Sequence, residues 1–151
     1  MLRFYVSKIM SQRTQGLTFS VRATPMKDES PHAATLPVDR HGELAVLTPS
    51  PAVVTAPEDV LERAGKDALE QLRALPPRGV VVDLSQVDYF GSLFISMLVR
   101  CHTLLRKQGS KLVIAGASAR ARELLRLTAL DELWAQYPTR MDAVQAFSKP
   151  A

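Results

Sequence analysis

Val80-Val81-Val82-Asp83-Leu84-Ser85-Gln86-Val87-Asp88-Tyr89-Phe90-Gly91-Ser92-Leu93-Phe94 is the stretch whose reading decides the fold. Gly79–Leu84 is almost uninterruptedly apolar, as in a strand covered on both faces by helices. The periodicity then changes. From Ser92 to about Lys107, Leu93, Phe94, Met97, Leu98, Cys101, Leu104 and Leu105 form one broad helical stripe, and Gly109 stops the helix. The stretch therefore reads as buried strand, short loop and helix start, with Ser92 as the expected helix cap.

The elements on either side repeat this alternation. Upstream, Leu36–Asp39 is a short hairpin arm, Asp39–Gly42 a turn and Glu43–Thr48 a strand. Pro49, Pro51 and Pro57 suggest an extended connection. Thr55-Ala56-Pro57-Glu58 has the form of a capping box opening a helix to about Leu75, with Leu61, Ala64, Ala68, Leu72 and Leu75 on one face. Downstream, Lys111–Ala115 is a strand. A helix at about 119–128 turns Leu124, Leu125 and Leu127 inward and Arg120, Arg122 and Arg126 outward. Leu133–Tyr137 is a short strand, and Thr139-Arg140-Met141-Asp142 caps a last helix that buries Val144 and Phe147. Strands alternating with helices imply an α/β domain with a mostly parallel sheet and right-handed crossovers.

Charge is unevenly distributed. The 151 residues carry a net +4, but residues 1–27 hold five basic side chains and no acid. The remainder, 15 acids against 14 bases, is near −1. The basic character is a property of the start, so a nucleic-acid surface built into the domain is not indicated. Residues 1–33 read as a basic disordered tail, although their composition also suits a transit peptide or a start placed ahead of a true Met26. Residues 24–38, with Pro25, Pro31 and Pro37, read as linker, and residues 34–149 as one domain.

Few chemistries fit. Cys101 is the only cysteine, which excludes an internal disulfide and a multi-cysteine metal site and suits a reducing cytoplasm. Its place on the apolar stripe makes it a core residue. His32, His41 and His102 share no ligand spacing, and no apolar run reaches membrane-spanning length. There is no phosphate-binding glycine loop, and Phe90-Gly91-Ser92-Leu93-Phe94 lacks the second glycine of a nucleophile elbow. His102 stands ~15 Å along its helix from Ser92, too far to act as its base. No enzyme activity, cofactor or metal is expected. Ser92 itself leaves two readings open. A serine at a helix start satisfies a free N–H, and a phosphoserine there would be received by the same donors. Gly91 lets a partner approach the backbone.

From about residue 36 to 148 the sequence resembles STAS domains of the anti-sigma-factor antagonist type. Asp83-Leu84-Ser85-Gln86-Val87-Asp88-Tyr89-Phe90-Gly91-Ser92-Leu93-Phe94-Ile95 follows the family pattern in register, and Lys111–Gly116, Leu124–Leu130 and the Thr55 helix match it in spacing. The resemblance implies a single domain with a mixed, mostly parallel sheet and about four α-helices. It implies no cofactor and no catalysis by the domain. It implies phosphorylation of Ser92 by an anti-sigma serine kinase, with a serine phosphatase resetting the switch and a sigma factor released by the unmodified form. Thr48, Asp83, Ser85, Asp88, Tyr89, Gly91, Ser92 and Leu93 are then the expected partner-binding residues, in a cytoplasmic monomer or weak dimer. Gly91, where the family usually has Asp, and Leu93-Phe94, where it has Ser/Thr-Gly, are departures, as is Thr48-Pro49-Ser50-Pro51 in place of Gly-Glu-Leu-Asp. They keep two alternatives in view: a non-phosphorylated STAS subunit of a transporter or signalling complex, and a domain that binds a small ligand or nucleotide.

Overall fold

Three valines in a row on an extended chain cannot face one way, so Val80 and Val82 need one hydrophobic layer and Val81 another. The computed structural model, which describes residues 35–148, provides both. Val80 and Val82 join Ala45, Leu47, Leu112 and Ile114 in the larger core, under most of the helices. Val81 joins Val46, Val113, Ala115 and Ala143 on the opposite face, with Val144 and Phe147 against them.

The sheet contains β1 (Val38–His41), β2 (Leu44–Leu47), β3 (Gly79–Asp83), β4 (Lys111–Ala115) and β5 (Gln136–Tyr137), in that spatial order. β1 and β2 form an antiparallel hairpin; β2, β3, β4 and β5 run parallel. The helices are α1 (Pro51–Val54), α2 (Glu58–Ala74), α3 (Ser92–Lys107), α4 (Ala119–Leu127) and α5 (Arg140–Ser148), with a 3-10 turn at Leu130–Glu132. The expected α/β domain is present, with a fifth, short helix beyond the four anticipated.

That helix corrects the reading of the 49–57 connection. The Ser50 hydroxyl accepts from the Val53 N–H, and Pro51 occupies the first turn, where its missing N–H is not needed. Thr55 is not a capping-box residue: it closes α1, its hydroxyl donating to the Pro51 carbonyl at 2.9 Å. α2 opens instead at Pro57 with no side-chain cap, and Glu58 and Asp59 face the positive end of its dipole.

Other boundaries shift for similar local reasons. The hairpin arm lies two residues later than expected, because Gly42, at φ +64°, takes the left-handed turn position. Leu75 falls beyond the end of α2, and Leu127 is the last residue of α4; both are about two-thirds exposed instead of inward. Of the expected Leu133–Tyr137 strand only Gln136–Tyr137 forms β5: the Leu133 and Trp134 N–H groups donate back to the Leu130 carbonyl, and the Ala135 carbonyl accepts from the Ile114 N–H just ahead of the strand. α3 ends as expected: Gly109 is left-handed, and the Ser110 and Gly109 N–H groups donate to the Leu105 and Arg106 carbonyls. Cys101 and Trp134 are buried in the main core. The readings of the basic tail and most of the linker fall on residues 1–34, outside those described.

Candidate functional site

The parallel strands β2, β3 and β4 end on one side of the sheet, and the chain segments leaving them carry a group of polar contacts between elements. Asp83, the last residue of β3, has a side chain only 7% exposed. Its Oδ1 accepts from the Ser85 N–H at 3.0 Å, and its Oδ2 from Arg140 Nε at 2.9 Å. The same guanidinium donates through Nη2 to Thr48 Oγ1, just beyond β2, at 2.9 Å. Burial pushes the Asp83 carboxyl up, but the Ser85 hydrogen bonds and the Arg140 guanidinium together outweigh it and hold the group below its ordinary value. Gly116, at φ +69°, lets β4 pass close: a β-carbon there would stand 3.0 Å from Ser85 Cβ and 3.1 Å from Asp83 Oδ1.

The loop from Leu84 to Gly91 crosses the strand ends toward α3. The Leu84 N–H donates to the Ala115 carbonyl and the Val87 N–H to the Leu84 carbonyl. Asp88 and Tyr89 then face α4. Arg120 Nη1 lies 3.4 Å from Asp88 Oδ2, and its guanidinium carbon 5.2 Å from the centre of the Tyr89 ring. Ser118, which caps α4 by accepting from Ala121 N–H, also donates to the Asp88 carbonyl at 3.3 Å. Of the adjacent aromatics, Phe90 is buried against Phe94 while Tyr89 is half exposed, so one anchors the loop and the other flanks the site.

Ser92 is not the cap of α3. Gly91 is, in an extended conformation, its carbonyl accepting from Ile95 N–H; Ser92 is the first helical residue and is exposed. No side chain caps this helix. Its first N–H groups therefore lack a side-chain acceptor beside an accessible hydroxyl. A β-carbon at Gly91 would meet nothing within 4 Å. Leu93 does not join the buried stripe, which is Phe94, Met97, Leu98, Cys101 and Leu105. One position out of phase with it, Leu93 is 46% exposed. Leu104 is only partly buried for the same reason.

The expected residues thus fall into two linked groups. Thr48 and Asp83 are joined through Arg140, and Ser85 through Asp83; Asp88 and Tyr89 are joined through Arg120; Gly91, the cap of α3, and Ser92 and Leu93 in its first turn follow the second group. Arg140 is a site residue that the sequence does not reveal, since residues 139–142 read there only as a cap. That cap exists, since the Thr139 hydroxyl accepts from the Asp142 N–H. An arginine at the positive end of a helix dipole is the one signal that could have revealed the second role. Among the described residues no group of histidines, cysteines and carboxylates is placed to hold a metal ion. No described helix is long and apolar enough to cross a membrane.

A mixed sheet in the order β1-β2-β3-β4-β5, with the hairpin at one edge and α3 opening at Ser92, defines a STAS domain. The chain belongs to the family described as Mlab, STAS domain, whose model matches residues 40–135. Among solved structures it is similar to an anti-sigma-factor antagonist (STAS) domain protein from Planctomyces limnophilus. The two are 27% identical over 77% of this chain and 100% of that one, with a TM-score of 0.68. An anti-sigma factor antagonist from Mycobacterium paratuberculosis is also 27% identical, over 76% of this chain and 94% of that one, with a TM-score of 0.63. A chain of the stressosome, a signal integration and transduction hub, shares the fold at 15% identity, covering 76% and 100% of the two chains with a TM-score of 0.62. No curated protein matches. The resemblance drawn from Asp83 to Ile95 is borne out at the level of family and fold.

Proposed function

We propose that residues 34–149 form a non-enzymatic, cytoplasmic anti-sigma-factor antagonist, with residues 1–33 a basic tail, and that its partner is an anti-sigma serine kinase. The kinase docks on the surface made by Tyr89, Gly91, Ser92 and Leu93 and flanked by Asp88. Thr48, Asp83 and Ser85 support it. The kinase phosphorylates Ser92, a serine phosphatase resets it, and the unmodified form frees the sigma factor. The observation that carries this reading is the exposed Ser92 hydroxyl on the first turn of a helix with no side-chain cap. A phosphate there adds a charge of about −1.5 to −2, and the free N–H groups and dipole favour it. The fold need not change to receive it. Incubation with the kinase and ATP adds one phosphate, on Ser92, and Ser92→Ala abolishes it. Phosphate found at another residue, or none taken up, refutes the reading.

The exposed Leu93 and the open space at Gly91 favour a second reading, a STAS subunit that binds a transporter or signalling partner without modification. Under it Leu93→Asp breaks the complex and Ser92→Ala leaves it intact. Binding of a small ligand or nucleotide is the remaining alternative, and thermal-shift screening with nucleotides tests it.

A further inference from the structure

Arg140 is the first residue of α5, the helix that covers the Val46–Val81–Val113 face of the sheet. A guanidinium there opposes the helix dipole, so its position is not explained by helix stability. Its contacts lie elsewhere. One fork reaches Asp83 Oδ2 and Thr48 Oγ1, each at 2.9 Å, and so spans the ends of two adjacent parallel strands. The other oxygen of Asp83 holds the Ser85 N–H, the second residue of the loop that leads to Gly91 and Ser92. Arg140, Asp83 and Ser85 thus form a continuous chain of charge-assisted hydrogen bonds from α5 into that loop.

We propose that Arg140 is a positioning residue for the Ser92 surface: by fixing Asp83 and Thr48 it sets the 84–91 loop, and it makes the seating of α5 a condition for presenting Ser92. This rests on the reading of that surface as the partner site. Its test uses no partner, so the two fail separately. Lysine is not equivalent at 140, because a single ammonium cannot supply the planar fork that meets two acceptors in different directions.

The test is NMR on the full chain, comparing wild type with Arg140→Ala, Arg140→Lys and Thr48→Val. In wild type the Ser85, Gly91 and Ser92 amide resonances move with the titration of the Asp83 carboxyl. In Arg140→Ala that titration moves to higher pH, and amide exchange across residues 85–92 rises at least tenfold while Val81 and Val113 keep their rates. Arg140→Lys does not restore the loop, and Thr48→Val gives a smaller increase in the same amides. Should Arg140→Ala fail to fold, the wild-type titration and Thr48→Val still decide. The proposal is overturned if Gly91 and Ser92 ignore the Asp83 titration, or if the variants loosen α5 alone. Phosphorylation of Ser92 with an uncoupled loop would sink only this inference.

Discussion

The ring of Phe147 lies against the backbone of Gly79, in the space a β-carbon would need. The Arg78 guanidinium donates to the Phe147 carbonyl beside it, so the last turn of α5 is fastened to the start of β3. Gly79→Ala must displace the ring, and β3 is buried along its length. We expect a loss of about 1–3 kcal/mol from overpacking, read as a lowered urea midpoint. An unchanged midpoint would mean that α5 adjusts freely.

Two serines at helix starts make a matched pair. Ser118 caps α4, its oxygen 3.0 Å from the Ala121 N–H, whereas Ser92 caps nothing. Ser118→Ala should cost about 1 kcal/mol. Ser92→Ala should stay within about 0.5 kcal/mol, as exposed substitutions do. Chemical denaturation of both variants checks the contrast, which is lost if Ser92→Ala is as damaging.

The Arg120–Asp88 pair is two-thirds exposed on both sides. Exposed pairs contribute little, so Arg120→Ala should change stability by no more than about 1 kcal/mol. On the proposed function, the same variant should slow phosphorylation of Ser92, because it removes a side chain that packs on Tyr89. Kinase assay and thermal melting, run together, separate the two effects.

Acid should weaken the fold in two stages. Burial, helped by Arg106, holds His102 below its ordinary value of 6.5, and its Nδ1 accepts from Trp134 Nε1 at 3.1 Å. The unfolded chain therefore takes up this proton first, and stability falls as pH drops below that value. Asp83, held below 3.8, contributes stability above that pH, which is lost as pH falls through its lowered folded value. Melting temperature against pH should show both steps, and His102→Gln should remove the first alone.

Cys101 is buried, and burial pushes its thiol up to about 11. It should resist thiol reagents in the native state and react at the rate of unfolding. Rapid labelling of the folded protein would contradict its packing.

What was legible in the sequence depended on how far the signal reached. The valine run of β3 and the stripe from Phe94 to Leu105 are set by burial, and both elements stand where the pattern places them. The loop that sets out the candidate site does not announce itself in this way. Ser92 and Thr55 both satisfy a local capping rule, yet a neighbour supplies the boundary in each case: Gly91 for the first, and Pro57 for the second, where Thr55 instead closes α1. Arg140 meets Asp83 57 residues away, and pattern reading within a single element has no access to such a contact. Leu93 belongs to the stripe by composition and leaves it by about one residue's rotation.

The empty surroundings of Gly91 have an engineering consequence. Because no neighbour constrains that position, its side chain can be rewritten without refolding the molecule around it. On the proposed function, related switches in one cell would need to avoid answering each other's enzymes, and residue 91 would offer an address that can change independently of the scaffold. A library varied at 91 and 93 over an unchanged core would be the direct way to build insulated signalling pairs from this chain.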